Sequence, residues 1–167
     1  MGATVADMTT DSQRFTASLR LESLEETARL GARIAGGLAQ GDVVALRGDL
    51  GAGKTALART ILQALGVTGS MPSPTFTLVQ SYETPRLLVH HYDLYRIEDV
   101  RELEELGFED SLSDGAALIE WPERAGAALP DDALHLTLTI AEGDVRQVAI
   151  AGPHRWAAVF HELAKDF

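Results

Sequence analysis

The 167-residue chain has no cysteine, no asparagine and only two lysines, Lys54 and Lys165. Without cysteine there is no disulfide framework and no thiol chemistry, which fits a reducing compartment. Without asparagine the chain lacks the N-K-x-D motif of standard guanine readers. No run of about 18 apolar residues occurs, so no membrane span is expected. The first residues lack the basic and apolar regions of a signal peptide. Met1-Gly2 opens like a myristoylation site, but the sixth residue is Ala6 rather than Ser or Thr. A cytoplasmic location is the expectation. Positive charge is also scarce: 14 Lys and Arg stand against 25 Asp and Glu, a formal net charge of −11. A broad nucleic-acid footprint needs clustered Lys and Arg. A role in a nucleic-acid pathway is therefore expected to run through protein partners, with a local basic patch formed in three dimensions left open.

Glycine, by contrast, is concentrated where it has a use. Gly48-Asp49-Leu50-Gly51-Ala52-Gly53-Lys54-Thr55 matches G-x-x-x-x-G-K-[ST], a loop whose backbone N–H groups converge on phosphate. Lys54 is placed to meet the β- and γ-phosphates and the Thr55 hydroxyl to meet Mg²⁺. A helix beginning here turns its partial positive charge on the same anion. The flanks agree. Val43-Val44-Ala45-Leu46 is a short apolar run without alternation, as a buried parallel strand requires. Ala56 to Leu65 has helical apolar spacing and stops at Gly66. Nucleotide phosphate binding is the expectation.

Residues 1–13 are polar and small and read as a flexible tail, leaving 14–167 as a single domain. Phe15, Ala17, Leu19 and Leu21 alternate with polar residues, a half-buried strand. Ser23-Leu24-Glu25-Glu26 fits a capping box and opens a helix with Leu24, Ala28, Gly31, Ala35 and Leu38 on one stripe. That strand and helix either complete the sheet or bring a helix start to the nucleotide base. After the loop helix, Ser70 to Thr75 is a proline-braced loop. Phe76 to Tyr82 and Leu87 to Tyr92 form a hairpin around Thr84-Pro85. His90 and His91, adjacent on a strand, point to opposite faces and make a poor metal pair; one packed and one exposed is the expectation. Asp99 begins a helix running to Gly107, and Phe108 to Asp114 reads as an acidic loop. Ala116 to Ile119 is a buried strand, Leu134 to Ile150 a hairpin turning at Glu142-Gly143-Asp144, and Pro153 the start of a last helix carrying Trp156, Phe160, Leu163 and Phe167. The fold class is α/β: a three-layer sandwich like the P-loop nucleotidases, with a mixed, mostly parallel central sheet.

A phosphate loop needs a carboxylate for Mg²⁺ and a group to position the attacking water or acceptor. Two strand ends supply carboxylates, Glu120 after Ala116–Ile119 and Asp93 after Leu87–Tyr92. Either also suits a helix cap or a loop acid. Thr75 occupies the place from which GTPase switch threonines reach Mg²⁺ and the γ-phosphate. Trp121 reads as core or as partner surface, with core the favoured expectation. No L-S-G-G-Q transporter signature is present. A kinase lid would have to draw on Arg96 and Arg101, the candidates after Asp93 in a helical context.

The loop together with Ser73-Pro74-Thr75-Phe76-Thr77-Leu78, His91-Tyr92-Asp93-Leu94-Tyr95-Arg96 and Ile119-Glu120-Trp121-Pro122-Glu123 resembles the bacterial TsaE family, over about residues 15 to 150. The resemblance implies a small ATPase of tRNA threonylcarbamoyladenosine biosynthesis. Such a protein binds ATP and Mg²⁺, hydrolyses ATP slowly alone, and supports turnover by the TsaB–TsaD pair, which modifies adenosine 37 of tRNAs. It meets tRNA indirectly, through that complex. Carried over by position, Lys54 and the loop amides hold the phosphates, and Thr55 and Glu120 match the Mg²⁺ positions. Thr75 and Asp93 match the switch-like and active-site positions, with Asp93 a further metal candidate and Trp121 beside them. Two readings stand as alternatives: a stand-alone small-metabolite kinase, and a nucleotide-gated binding module that needs no hydrolysis.

Overall fold

The computed structural model describes residues 8–10 and 13–165. The strands are β1 (Met8–Thr10), β2 (Arg14–Leu21), β3 (Val43–Arg47), β4 (Val79–Glu83), β5 (Leu88–Asp93), β6 (Gly115–Glu120), β7 (Leu134–Ile140) and β8 (Arg146–Pro153). The α-helices are α1 (Leu24–Gly37), α2 (Lys54–Ala64), α3 (Arg101–Glu105), α4 (Phe108–Asp114) and α5 (Ala157–Lys165), with 3₁₀ segments at Pro122–Ala128 and His154–Trp156. One sheet runs β1-β2-β8-β7-β3-β6-β5-β4. Its centre, β7-β3-β6-β5, is parallel, and antiparallel neighbours extend both sides. Every residue of β6 is buried, as a parallel strand covered on both faces must be.

Helices cover the sheet on two faces. On one, α1, α2 and α5 close a core around Leu30, Ile34, Leu57, Ile61 and Phe160, in which Phe15 stacks on Phe160 at 5.5 Å. On the other, α3, α4 and the 3₁₀ segment after β6 cover Val43, Tyr92, Ala117 and Ile119, with Tyr92 edge-on to Phe108 at 5.4 Å. This second layer spans only the parallel half. Towards the antiparallel β2-β8-β7 side Thr16, Thr137, Thr139 and Ala149 face outward and exposed, so β2 alternates there as a one-sided strand does.

The Ser23 cap forms as the sequence indicates, its hydroxyl accepting from Glu26 N at 3.2 Å while Glu26 accepts from Glu22 N. Several local readings change. The buried stripe of α1 is Thr27, Leu30, Gly31, Ile34 and Ala35, whereas Leu24 and Ala28 lie exposed. Phe108 to Asp114 is helical rather than loop: Gly107 turns left-handed (φ 71°) and starts a new helix that buries Phe108 and Ser111. Phe76 is not in a strand. Leu78 is itself left-handed (φ 67°), and its N–H donates to Pro74 O at 2.8 Å, closing a turn from which β4 then departs. Part of the expected tail, Met8–Thr10, pairs as an edge strand on β2; residues 1–7 and 11–12, and Phe167, lie outside the described residues.

α1 packs directly against α2 at Gly31. A Cβ built there would lie 1.9 Å from Thr60 Oγ1 and 3.0 Å from the Thr60 carbonyl carbon, so α1 and α2 touch only because no side chain intervenes. Gly31→Ala is expected to cost about 1–3 kcal/mol through overpacking, despite the better helix propensity of alanine. Urea unfolding measures it; unchanged or raised stability would show that the two helices separate freely.

Candidate functional site

The register of the central strands assembles the site. Leu46 at the end of β3 pairs with Glu120 at the end of β6, and Glu120 pairs with Asp93 at the end of β5. Three carboxyl ends thus lie side by side at one edge, where open α/β sheets take ligands. From β3 the chain turns through the glycine loop into α2. Gly48 has φ 146°, and a Cβ there would meet Leu138 O at 2.6 Å; Gly53, the residue before α2, has φ 108°. Only glycine adopts the second conformation cheaply.

Lys54 is 95% buried by its neighbours (5% exposed). Its Nζ donates to the carbonyls of Gly48 and Asp49, the latter at 2.9 Å, and lies 4.3 Å from the centre of the Trp121 ring. Burial lowers its pKa below that of free lysine, opposed by the charges of Glu120, Asp93, Glu123 and Asp49. The Thr55 hydroxyl donates to Glu120 Oε1 at 2.7 Å, and the other carboxylate oxygen of Glu120 meets His91 Nε2 at 2.7 Å. Asp93 lies beside Glu120 at the end of the neighbouring strand. Its Oδ2 accepts from Ser73 and Thr75 hydroxyls, both at 3.3 Å, and its Oδ1 from Tyr95 N at 3.1 Å. The Ser73 and Thr75 oxygens also lie 3.0 Å apart, so the two hydroxyl protons are shared among three contacts that fasten the proline-braced loop to the end of β5. Together these groups line a cleft of about 260 Å³.

The structure brings Lys54, Thr55, Thr75, Asp93 and Glu120 together as the sequence indicates. Gly51, Gly53 and Leu50 line the same cleft, Ala52 is buried beneath the loop, and Asp49 contributes its carbonyl to Lys54. Trp121 does more than fill core. It sits left-handed (φ 57°), a conformation that costs a non-glycine residue about 1–2 kcal/mol, and it packs between Tyr95 (4.9 Å) and the Lys54 ammonium. The expectation for the histidines was incorrect, because both are buried and both are paired. His90 bonds Ser81 at 2.7 Å and Asp114 at 2.9 Å, tying the edge strand β4 to the end of α4. His91, 1% exposed, meets Glu120. A signal was available: His91 and Asp93 are two apart on one strand and share a face. Arg146 was also missed. From β8 its Nε donates to Ala52 O at 3.0 Å and its Nη2 to Gly51 O at 3.4 Å, holding two loop carbonyls outward. It borders a second cavity, of about 730 Å³, shared by Leu21, Ser23, Leu24, Gly53 and Ala56. No feature of the sequence around Arg146 marks that role.

A glycine loop leaving a central parallel strand for a helix, flanked by strand-end carboxylates, defines a P-loop α/β protein. The chain belongs to the TsaE family: the family model described as "Threonylcarbamoyl adenosine biosynthesis protein TsaE" matches residues 21–148. It is similar to the tRNA threonylcarbamoyladenosine biosynthesis protein TsaE of Rickettsia conorii, 39% identical over 136 residues that make up 81% of this chain and 78% of that protein. The TsaE of Bacillus subtilis is 35% identical over 143 residues, 84% of this chain and 89% of that one. Among solved structures, the crystal structure of Bacillus subtilis YdiB matches with a TM-score of 0.73 at 28% identity, covering 94% of this chain and 99% of that chain.

The chain has only two lysines, so the state of Lys54 can be read directly. In ¹³Cε-lysine NMR one of the two side chains is expected to titrate below 10.5, the ordinary value. Glu120→Gln removes the strongest of the opposing negative charges and should lower it further. Two lysines titrating together at the ordinary value would refute this account of the site.

Proposed function

We propose that this chain is the ATP-binding and ATP-hydrolysing member of the machinery that forms threonylcarbamoyladenosine at position 37 of tRNAs, and that its cycle supports turnover by a TsaB–TsaD pair. The observation that carries the nucleotide part is the Thr55–Glu120 hydrogen bond of 2.7 Å beside a buried Lys54. A hydroxyl and a carboxylate from different elements converge at the start of the loop helix, and hard oxygen donors of that kind suit Mg²⁺ together with phosphate oxygens. The pathway part rests on family membership.

On this reading each residue has a separate task. The amides of Gly51, Gly53, Lys54 and Thr55 and the N-terminus of α2 bind phosphate. Lys54 leaves its carbonyl partners for the β- and γ-phosphates. Thr55 and Glu120 hold Mg²⁺, which when bound neutralises charge developing on the transferred phosphoryl group. Asp93, fastened to Ser73 and Thr75, couples the proline-braced loop to the sheet and orients the groups around the attacking water. The 730 Å³ cavity beside Ala56 and the start of α1 takes the base and ribose. The net charge of −11 suits contact with tRNA through protein partners rather than directly. The kinase alternative gains nothing from the geometry: Arg101 is paired with Asp99 at 2.6 Å and Arg96 is stacked 4.5 Å from the Phe76 ring.

ATP hydrolysis by the purified protein, alone and with TsaB and TsaD of the same organism, tests the proposal. Stimulation by the pair is expected. No stimulation and no association would overturn the pathway reading. Within the site, Lys54→Ala should abolish most nucleotide affinity. Glu120→Ala should reduce Mg²⁺-dependent hydrolysis by about 100-fold or more while ATP binding falls far less. Equal loss of both would count against a metal role for Glu120.

A further inference from the structure

Two histidines sit side by side on β5 and make opposite use of the same chemistry. His90 bonds Ser81 and Asp114 on one face of the sheet, away from the glycine loop. His91 faces the other way, 1% exposed, with its Nε2 2.7 Å from Glu120 Oε2. Glu120 is itself 2% exposed, and its remaining oxygen is taken by Thr55. Each carboxylate oxygen thus has one partner, and the two partners come from different elements, β5 and α2. The plane of the carboxylate is fixed by the pair.

Packing alone does not account for His91. Burying an imidazole and a carboxylate is costly unless each satisfies the other, and an apolar side chain would fill the same place without that cost. Of the charges around Lys54, that of Glu120 acts most strongly. A Glu120 free to rotate would be drawn towards the ammonium and away from Thr55. His91 opposes this by holding Oε2, which leaves Oε1 directed at the Thr55 hydroxyl, the second oxygen of the proposed Mg²⁺ set. We infer that His91 is a positioning residue for Glu120: its Nε2–H holds one carboxylate oxygen so that the other stays aimed at the divalent cation beside Thr55. Outer partners of this kind orient metal-binding groups and typically govern affinity by about 10–100-fold.

The inference rests on the nucleotide reading above, and the test separates the two. ADP affinity is measured first in EDTA, then Mn²⁺ affinity for the protein–ADP complex by electron paramagnetic resonance. The proteins are wild type, His91→Ala, His91→Gln and His91→Asn. Glutamine carries an N–H at the Nε2 position and asparagine one at the Nδ1 position, so only the first reproduces the contact. The expected result is ADP affinity in EDTA within about twofold for all variants. Mn²⁺ affinity should fall about tenfold or more in the alanine and asparagine variants and be largely restored in the glutamine variant. If the alanine variant does not fold, the glutamine and asparagine pair decides alone. Unchanged Mn²⁺ affinity, a parallel loss of ADP affinity in EDTA, or failure of glutamine to restore would overturn the assignment. Failure of the wild type to bind ADP would instead overturn the nucleotide reading, and this one with it. In the metal-free protein, ¹⁵N spectra should show His91 protonated at Nε2, with the signal displaced in Glu120→Gln; a proton on Nδ1 alone would also overturn it.

Discussion

Lys54 brings an ammonium into a place that is nearly closed to water, and much of the surrounding structure follows from that. An unpaired buried cation is not tolerated. Here it is met by two backbone carbonyls, by the face of an indole ring and by carboxylates. The carboxylates then raise the same difficulty with the opposite sign. Glu120 is satisfied by Thr55 and His91, and Asp93 by Ser73, Thr75 and the Tyr95 amide. The partners come from α2, β5, β6 and the loop between α2 and β4. One buried charge thereby ties the ends of two parallel strands, a helix start and a proline-braced loop into a single network. The network exists only while β3, β6 and β5 hold their register, since a slip of one residue would turn Glu120 and Asp93 to the other face.

What could be read from the sequence tracks how local each determinant is. The glycine loop, the apolar run before it and the helical spacing after it are contiguous, and they fold as read. Alternation likewise locates β2, β7 and β8, because one face of each is solvated. Legibility fails where a short segment is decided by tertiary contact. The acidic composition of Phe108–Asp114 suggests a loop, yet one buried aromatic and a left-handed glycine suffice to make it a helix. Leu24 carries the right side chain for a buried stripe but lies one turn too early on α1. Leu78 and Trp121 are bulky residues in left-handed conformations, which no propensity would assign to them.

The site was legible in its motifs and opaque in its supports. Lys54, Thr55, Thr75, Asp93 and Glu120 converge because strand ends and loop lie at one edge, and that much follows from topology. Their supports come from residues whose contacts cross the sheet. Arg146 is 94 positions from the Ala52 carbonyl it holds. His91 is 29 from Glu120, and on β5 only its parity with Asp93 hinted that it shared the carboxylate face. Whether a buried polar side chain serves packing or chemistry cannot be decided from its neighbours in sequence, because the two uses, as His90 and His91 show, occupy adjacent positions.

The charge balance at the loop bears on how a nucleotide would enter. Lys54 has four carboxylates acting on it, those of Glu120, Asp93, Glu123 and Asp49, so the side chains around the loop carry more negative than positive charge. A bare polyphosphate would meet repulsion from them, and like charges brought together in a partly buried cleft are screened little by salt. The attraction that offsets this comes from the Lys54 ammonium, which lies on the loop, and from the loop amides and the N-terminus of α2. On the proposed reading a divalent cation would add to that attraction rather than create it. Held by Thr55 and Glu120, it would turn one of those carboxylates from an obstacle into a ligand and offset part of the negative charge. The same excess of negative charge extends over the whole chain. It disfavours the phosphate backbone of RNA, whose binding needs clustered Lys and Arg. On the proposed reading the RNA-facing surface belongs to the partner proteins.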